Sequence, residues 1–592
     1  MKNKIIIIVI FTCCISHINA QQINNEITET ELYNHIHFLA SDSLKGRFPS
    51  TAEDKISALY IAQRFKESNH KLLFKNGLQE FEIKPILVTG EKNSILFKNK
   101  KFTYNVDFST FPFSKNSELE AEIVFAGYGF TIKNDSIYWN DFETIDVKDK
   151  WVIILLGSPV VANGSSPYEA YKSAHSKAIA AKDRGAGGVI FVAGQSFDRE
   201  ETLINLNEPM GLIDIPAIQI KRDLANLLIK KSGFTIQDLE NYLVTEKKPN
   251  SFIINEKIKV STDIREIKRT TFNVVAELIV DTSANADYIV IGAHYDHLGF
   301  GGIGSGSRNP NIKAVHYGAD DNASGVSSLL EIAQKLESTK EQHKSNFLFV
   351  AFGAEEMGLL GSKFFTNNLP VDKSQIKAMI NIDMVGRMKD DQSLQIGGVG
   401  SSTISDSLAN LINSKYSLKL GLSKEGYGPS DHSSFYSLNI PVFFVSTGPH
   451  TDYHTPGDSI GNINIKGLQI VTNYIYDLAF NLATTTSPII FTEAGPKAPA
   501  NNMGGRKMKV TLGIMPDFSG VEKRGLRIDL VIEGKAAAKA GLKTGDIIIA
   551  MDGLPVKDIY EYMDRLTKLN AGQIITIEVI RENENKVLIV QL

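Results

Sequence analysis

Carboxylate and imidazole side chains gather at five places in the second half of this 592-residue sequence, each close to a strongly apolar run. The five places are HYD at 294–296, ADDN at 319–322, EE at 355–356, Asp383 and YH at 453–454. Side chains just beyond the carboxyl ends of neighbouring strands meet at one edge of an open α/β sheet. Carboxylate oxygens and imidazole nitrogens bind zinc and similar cations. The five clusters therefore predict one metal centre.

The first cluster offers a metal ligand and a residue that could orient it. Residues two apart on an extended segment face the same side, so Asp296 could accept a hydrogen bond from the ring of His294. That bond would fix which ring nitrogen meets a metal. The alternative is a surface histidine beside an acid, and His297 is either a second ligand or a structural neighbour.

The acidic clusters that follow have competing structural explanations. Asp320 and Asp321 precede a helical pattern, where Asp is an ordinary N-cap residue, and spacing alone does not decide which of them binds a metal. Glu355 and Glu356 would repel each other unless solvent, a cation or a proton separates them. The repulsion would be relieved if one of the two glutamates bound a metal and the other took part in proton transfer. Asp383 ends an apolar strand, where an unpaired carboxylate is costly to bury, so a ligand role is favoured.

Strands alternate with long helices beyond about residue 270, which predicts an α/β fold with crossover connections. The predicted strands are 288–293, 346–352, 378–383, 393–396 and 441–445. The predicted helices are 323–336, 358–367, 405–415 and 465–482. These elements would carry the five clusters to the same end of the sheet.

Six motifs then occur in the order typical of one family: HYD, GADDNASG, GAEEMGLLGS, NIDMVGR, GPSDHSSF and DYHTPGDS. With them, residues from about 270 to 481 resemble the M28 family of zinc aminopeptidases. The resemblance implies a mixed, mostly parallel sheet with helices on both faces and two zinc ions as cofactor. It also implies the ligands: His294 and Asp383 on one zinc, Glu356 and His454 on the other, and Asp321, four residues before the glycine of ASG, on both.

The same resemblance implies how the site would hydrolyse a peptide. Two zinc ions would share a bridging hydroxide, and Glu355 would act as general base and then general acid. Tyr453 would stabilise the negative charge that grows on the carbonyl oxygen, with a packed aromatic as the alternative. Asp296 completes the predicted catalytic set, and residues 430–435 would line the substrate pocket.

Two further regions resemble accessory domains. The runs DVKDKWVIILLG, GGVIFVAG and IPAIQI resemble a β-rich protease-associated domain inserted into the peptidase domain. The segments LGI at 512–514 and AGLKTGD at 540–546 resemble a small PDZ domain. Such a domain takes an extended peptide as an added strand and holds its carboxylate on backbone N–H groups, here near Leu512 to Ile514. A PDZ fold used only for internal packing is the alternative.

The first residues predict an export signal, since Lys2 and Lys4 precede an apolar run from Ile5 to Cys14 and small residues end at Ala20. That run is too short to span a bilayer, and no later stretch is long enough. We therefore expect a soluble secreted or periplasmic chain, with lipoprotein anchoring at Cys13 disfavoured. Both cysteines lie in the leader, which predicts a mature chain without disulfides. The formal net charge of −4 argues against a nucleic-acid partner.

The predicted domains are a signal peptide at 1–20, the first part of the peptidase domain at 21–118, a protease-associated-like domain at 119–262, the catalytic domain at 263–484, a linker at 485–508 and a PDZ domain at 509–592. The predicted function is the removal of N-terminal residues from peptides. One alternative is a related zinc carboxypeptidase or amide hydrolase. Another is a non-catalytic, receptor-like binding protein of the same fold.

Overall fold

A computed structural model describes residues 26–133, 137–159, 167–206, 211–302, 305–495, 497, 510–516 and 522–592. The chain divides into two compact units, Met1–Gln79 with Phe272–Gly495 and Glu80–Thr271 with Pro496–Leu592. The predicted signal peptide and both cysteines lie outside the described residues. Within the described ranges, no helix has the length and apolar character needed to cross a membrane.

Twelve α-helices occur in the described residues. They are α1 Glu29–Leu39, α2 Ala52–Glu67, α3 Ala174–Lys182, α4 Arg222–Ile229, α5 Ile236–Glu246, α6 Gly325–Ser338, α7 Leu360–Asn367, α8 Ser405–Tyr416, α9 His432–Tyr436, α10 Ile465–Thr484, α11 Ala536–Lys539 and α12 Ile559–Thr567. The four helices predicted in the catalytic region correspond to α6, α7, α8 and α10 within two residues at each end.

The strands in chain order are β1 Lys71–Leu72, β2 Leu78–Thr89, β3 Ser94–Phe97, β4 Lys100–Phe102, β5 Phe108–Thr110, β6 Ser117–Ala126, β7 Thr131–Lys133, β8 Tyr138–Asn140, β9 Trp151–Leu155, β10 Gly188–Val192, β11 Ala217–Ile220, β12 Ser251–Thr262, β13 Ile264–Leu278, β14 Tyr288–His294, β15 Asn346–Phe352, β16 Ile376–Ile382, β17 Ser393–Gly397, β18 Lys419–Leu422, β19 Val442–Ser446, β20 Ile514–Pro516, β21 Leu526–Val531, β22 Ile547–Met551, β23 Leu554–Pro555, β24 Ile574–Arg581 and β25 Glu584–Gln591.

The sheet of the first unit is mixed, as predicted. Its strand order is β1-β13-β15-β14-β16-β19-β17-β18. Strand β14 runs parallel to β15 and β16, and β16 runs parallel to β19, whereas β17 is antiparallel to β19. Every residue of β14 and β15 is buried. A parallel sheet covered on both faces needs such continuous apolar strands, which explains why these runs read as apolar rather than alternating.

Helices cover both faces of this sheet. On one face, alternate residues of β14 such as Ile289 and Ile291 pack with buried side chains of α1, α2, α6 and α10. On the other face, Val290 packs in a cluster that includes Phe365 of α7 and Phe435 of α9. The period-2 alternation of strand side chains divides the apolar residues between these two layers. The predicted architecture is therefore confirmed.

The helix after the GADDNASG motif begins two residues later than predicted, at Gly325. A short helical segment, Ala319–Ser324, precedes it, and Asp321 and Asn322 within that segment have non-helical backbone angles. The chain therefore turns at the acidic cluster before the regular helix starts.

The second unit contains two separate sheets of more than two strands. Residues 80–271 form the sheet β4-β3-β12-β6-β9-β10-β11-β5 with helices α3, α4 and α5, and this part is called the inserted domain below. The motifs WVIIL, GVIFV and AIQI form its buried strands β9, β10 and β11. Residues 510–592 form the smaller sheet β20-β21-β22-β24-β25 with helix α12.

Candidate metal centre

The predicted ligands come from five segments of the first unit that end at one edge of its sheet. His294 is the last residue of β14, and Asp383 directly follows β16. Asp321 lies in the segment before α6, Glu356 lies in the turn after β15, and His454 lies in the loop after β19. The parallel strand order places these ends side by side, which is the usual location of a ligand site in such sheets.

The first group of possible ligands consists of His294, Asp321 and Asp383. The Nε2 atom of His294 lies 3.1 Å from Oδ1 of Asp321 and 3.5 Å from Oδ1 of Asp383. The side chains of His294 and Asp321 are almost fully buried, and Oδ1 of Asp383 has no hydrogen-bond partner among the described residues. A buried donor set of this kind needs a cation or protons to balance its carboxylates.

The second group contains His454 and Glu356 around the other oxygen of Asp321. The Nε2 atom of His454 lies 3.1 Å from Oδ2 of Asp321 and 3.2 Å from Oε2 of Glu356. The two carboxylate oxygens of Asp321 are thus divided between the two groups. This division is the arrangement that a bridging ligand of two cations requires.

These distances fit zinc. With bond lengths of about 2.0–2.1 Å and tetrahedral angles, neighbouring ligand atoms of one zinc ion lie about 3.3 Å apart. The four distances of His294 and His454 to their carboxylate partners, between 3.1 and 3.5 Å, lie close to that value. Nitrogen and oxygen ligands are also a donor set that zinc accepts.

His297 lies beside the second group but has a different geometry. Its Nδ1 atom is 2.7 Å from Oε1 of Glu356 and 3.9 Å from Oδ2 of Asp321. The first distance is that of a hydrogen bond and the second is too long for a shared zinc ion. His297 also forms, with Asp321 and Glu356, a group whose ligand atoms all lie within 4.8 Å of one another and could hold a metal ion. The Nδ1–H group of His297 donates to Glu356. The sequence predicts His297 to be either a second metal ligand or a structural neighbour of the site, and this hydrogen bond favours the second role.

Asp296 has a different partner from the one its spacing suggests. Nδ1 of His294 lies 3.2 Å from the backbone oxygen of Asp296 and 3.8 Å from its carboxylate. The carboxylate instead accepts the backbone N–H groups of Glu355 at 2.9 Å and Glu356 at 3.3 Å. The buried side chain of Asp296 therefore orients the Glu355–Glu356 turn, while its carbonyl orients the His294 ring.

Burial and mutual repulsion set the protonation of the carboxylates around this centre. Burial, with the nearby charges of Glu356 and Asp431, raises the pKa of Glu355 well above its usual value. Burial likewise raises the pKa of Asp431 to about 7. For Asp321, burial acts in the same direction, but hydrogen bonds to His294 and His454 lower its pKa well below the usual value. The carboxylate between the two imidazoles therefore stays ionised, and hydrogen bonds to His297 and His454 likewise lower the pKa of Glu356.

The loop after β19 is held in place from several sides. Nδ1 of His454 donates to the carbonyl of Gly306 at 3.1 Å, a bond that leaves Nε2 free for a ligand role. Arg387 donates to Asp452 at 2.5 Å and to the carbonyl of Asn462 at 3.0 Å. The ring of Tyr453 stacks on that of His454 with 3.8 Å between centroids.

Ser430 and Asp458 form hydrogen bonds that hold two of the predicted ligands in position. Ser430 donates to Oδ2 of Asp383 at 2.8 Å, so the pocket-loop motif around 430–435 also contacts a ligand. Asp458 accepts the backbone N–H groups of Asp320 at 3.0 Å and Asp321 at 3.0 Å. The spacing of the motifs does not show these supporting contacts, because each joins segments that are far apart in the chain.

Arg47 is the supporting residue that sequence reasoning missed. Its fully buried guanidinium donates to the carbonyls of Leu39, Tyr295, Tyr317 and Gly318. Burial lowers its pKa to about 10, so it remains a cation at neutral pH. It thus adds positive charge beside an acidic site. Arg47 lies within residues 21–118, which are predicted to belong to the peptidase domain, but no sequence pattern around it indicates a buried arginine.

Gly318 shows why the motif needs a glycine at its first position. Its φ of +55° lies in the left-handed region. A Cβ atom at this position would collide with the backbone oxygen of Asp321 and the ring of His297. Only glycine therefore allows the chain to pass this close to both groups.

Comparison with known proteins assigns two parts of the chain to families. Residues 273–479 match the model of peptidase family M28, and residues 510–592 match that of the PDZ domain. Aminopeptidase YwaD from Bacillus subtilis is 27% identical over 74% of this chain and 82% of its own length. A probable leucine aminopeptidase from Arthroderma otae is 28% identical over 35% of this chain, and the match spans 57% of that relative.

Among solved structures, BSAP, a zinc aminopeptidase from Bacillus subtilis, matches 79% of this chain and 99% of its own with 23% identity and a TM-score of 0.45. The two family matches cover most of the sheet that carries the predicted metal ligands and the small sheet near the end of the chain. The chain is therefore a metallopeptidase with a family M28 domain at residues 273–479 and a PDZ domain at residues 510–592.

Proposed function

We propose that this chain is a zinc aminopeptidase that acts outside the cytoplasm and removes N-terminal residues from peptides. The observation that carries the proposal is the position of Asp321, whose two carboxylate oxygens each face a different histidine at 3.1 Å. A carboxylate placed between two histidines in this way supports a pair of neighbouring cations. The similar proteins named aminopeptidases support the choice of substrate.

The proposed cofactor is a pair of zinc ions. His294 and Asp383 would hold one ion, Glu356 and His454 would hold the other, and Asp321 would contribute to both. When bound, such a pair lowers the pKa of a shared water and polarises the carbonyl of the scissile bond. The protein residues must then move protons and stabilise charge.

Glu355 is the proposed proton acceptor and donor. Its neighbour Glu356 is occupied by His297 and His454, whereas Glu355 has no such partner among the ligands. Burial raises the pKa of Glu355, which brings it closer to the range in which a carboxyl group both takes and returns a proton. The hydrogen bond from its backbone N–H to Asp296 fixes the turn on which it lies.

Tyr453 is the proposed donor to the oxygen that becomes negative during the reaction. Burial raises the pKa of its phenol, so the hydroxyl keeps its proton and can donate it in a hydrogen bond. Its stacking on His454 holds the ring next to the second group of ligands.

The decisive experiment is a panel of aminoacyl anilides and short peptides, each tested with and without a chelator. We expect cleavage that stops when the chelator is added and that an N-terminal acetyl group abolishes. Cleavage of acetylated peptides would instead indicate a carboxypeptidase or another amide hydrolase. A purified protein without zinc that cleaves no member of the panel would support the receptor-like alternative.

The remaining proposals concern the other domains and the location. The inserted domain is proposed to be protease-associated, on the basis of its strands β9, β10 and β11.

The PDZ domain is proposed to bind peptide carboxylates near Leu512 to Ile514, and peptides with a free rather than an amidated C-terminus should bind it more tightly. The leader pattern at residues 1–20 supports export, which N-terminal sequencing of the mature protein tests.

A further inference from the structure

The helix α12 of the PDZ domain carries two charged residues that are buried. Glu561 is 0% exposed and Arg565 is 3% exposed. The two residues are four positions apart and therefore lie on the same face of the helix. Charged side chains are almost never fully buried without a partner, so this face must be covered by complementary charges.

The covering groups belong to the inserted domain, at the end of helix α3. Nζ of Lys182 lies 2.7 Å from Oε1 of Glu561. The guanidinium of Arg565 donates to both carboxylate oxygens of Asp183, at 2.9 and 3.4 Å. The adjacent residues Lys182 and Asp183 of the inserted domain thus pair with Glu561 and Arg565, which lie one helical turn apart on the PDZ domain. A cation followed by an anion on one domain meets an anion followed by a cation on the other.

A second segment of the inserted domain adds to this contact. Asp214 forms an ion pair with Lys557, just before α12. Gly211 lies so close to Asp558 that a Cβ atom would collide with the carboxylate. The carbonyl of Gly211 is itself held by Nε2 of His175 at 2.9 Å, which links this segment to α3. The contact therefore has matching shape as well as matching charge.

The opposite face of α12 is apolar and belongs to the PDZ core. Tyr562 and Leu566 are buried in that core, and Ile559 and Met563 pack against it. The helix therefore uses one side to build its own domain and the other to meet the inserted domain. Arg565 and Oε1 of Glu561 contribute to the second contact, while Oε2 of Glu561 accepts the backbone N–H of Lys557 at 3.1 Å within the PDZ domain.

We propose that Lys182, Asp183 and Asp214 form a docking surface for the PDZ domain of the same chain. The order of charges selects one register, since a shifted helix would place like charges together in a buried contact. The PDZ domain then keeps a fixed position relative to the inserted domain. A peptide bound to it is held at a defined distance from the inserted domain.

Charge reversal in the full chain tests this proposal. Spin labels are attached at Thr144→Cys and Ala571→Cys, two exposed positions in the two domains, with Cys13 and Cys14 replaced by serine. Distances between labels are measured by electron paramagnetic resonance. We expect a single narrow distribution, and K182E or E561K alone should lower the docked fraction at least tenfold. The double variant K182E/E561K should restore the narrow distribution.

The matched control is K172E, which reverses a lysine of an exposed ion pair with Glu169 on the same domain and should leave the distribution unchanged. If K182E does not fold, as shown by circular dichroism, Lys182→Met removes the charge without reversing it and should also lower the docked fraction.

Two results would overturn the proposal. The first is a narrow distribution that persists in both single variants, which would show that these pairs do not hold the domains together. The second is a distance that disappears when labelled protein is diluted with unlabelled protein, which would assign the contact to two copies of the chain.

Discussion

The metal centre and the docking surface both bury charged side chains, but they balance the charge in different ways. At the docking surface, Lys182 faces Glu561 and Arg565 faces Asp183, so each buried charge has an opposite partner. At the proposed metal centre, the carboxylates of Asp321, Glu356 and Asp383 share the imidazoles of His294, His297 and His454 instead of each having its own partner. A buried charge pair can thus be complete in itself, whereas a buried cluster of carboxylates needs a cation or protons to balance it.

Replacement of Asp321, the proposed shared ligand, should reduce peptide cleavage more than any other proposed substitution. Asp321→Asn takes one charged oxygen from each metal group, so both ions should be lost. Since bound metal contributes several kcal/mol to such reactions, we expect peptide cleavage to fall at least about 10³-fold. Zinc content by atomic emission gives the second measurement. A variant with two zinc ions per chain would contradict the shared-ligand assignment.

Glu355→Gln should separate proton transfer from metal binding. The variant removes a carboxylate that is close to the cluster but is not a proposed ligand. Turnover should fall by about 10²- to 10⁴-fold, the range for loss of a general base. The zinc content should remain unchanged. The matched variant Glu356→Gln should lose zinc from the second group of ligands. Equal zinc loss in both variants would contradict the assignment of proton transfer to Glu355 and of metal binding to Glu356.

Much of the metal centre could be predicted because it depends on local motifs at strand ends. His294 and Asp383 end or follow apolar strands, and the alternation of strands and helices places such ends together. The apolar run at 346–352 likewise predicted β15 at its observed bounds, and the helical period of apolar residues predicted α10 with only its last two residues missing. The local pattern carries this information because it reports which face of each element is buried.

The supporting contacts could not be predicted, because they join distant segments. Lys182 and Glu561 are 379 positions apart, and no local pattern indicates that they pair. The carboxylate of Asp296 turns to the backbone of Glu355 and Glu356 because those N–H groups need an acceptor, which depends on the packing of β14 against β15. Such pairings follow from tertiary structure and leave no periodic signal.

His70 shows a third way to bury a titratable group, which is to keep it neutral. Burial lowers its pKa from 6.5 to about 4. The unfolded chain therefore binds a proton between pH 6.5 and 4 while the folded chain does not, so stability falls as the pH decreases through this window. The full shift corresponds to about 3 kcal/mol.

Urea unfolding at pH 7 and pH 4.5 measures this effect. His70→Leu should be less sensitive to the pH change than the unchanged protein, and His37→Leu, at an exposed position of α1, is the control. Equal losses of stability in the His70 and His37 variants would contradict a neutral buried imidazole.

The smallest expected effect concerns His297, which supports the second metal group without being a proposed ligand. His297→Ala removes the hydrogen bond to Glu356 and should weaken zinc binding there by about 10- to 100-fold. Asparagine can place an N–H near the position of Nδ1, so His297→Asn should retain more affinity. Competition with a chromophoric chelator measures both, with His343→Ala as a control at a buried histidine that packs on Phe347 and Phe480. Loss of one whole zinc ion from both His297 variants would make His297 a ligand.

The position of Arg47 has a consequence for how the enzyme is made. During synthesis this residue leaves the ribosome almost 250 residues before Tyr295, the first of its three partners beyond the inserted domain. Arg47, which lies between α1 and α2, can therefore donate to three of its four carbonyl partners only after the whole inserted domain has been translated. It also follows that a fragment starting at residue 272 would contain every proposed zinc ligand and still lack the guanidinium that ties the segments around His294 and Asp321 together.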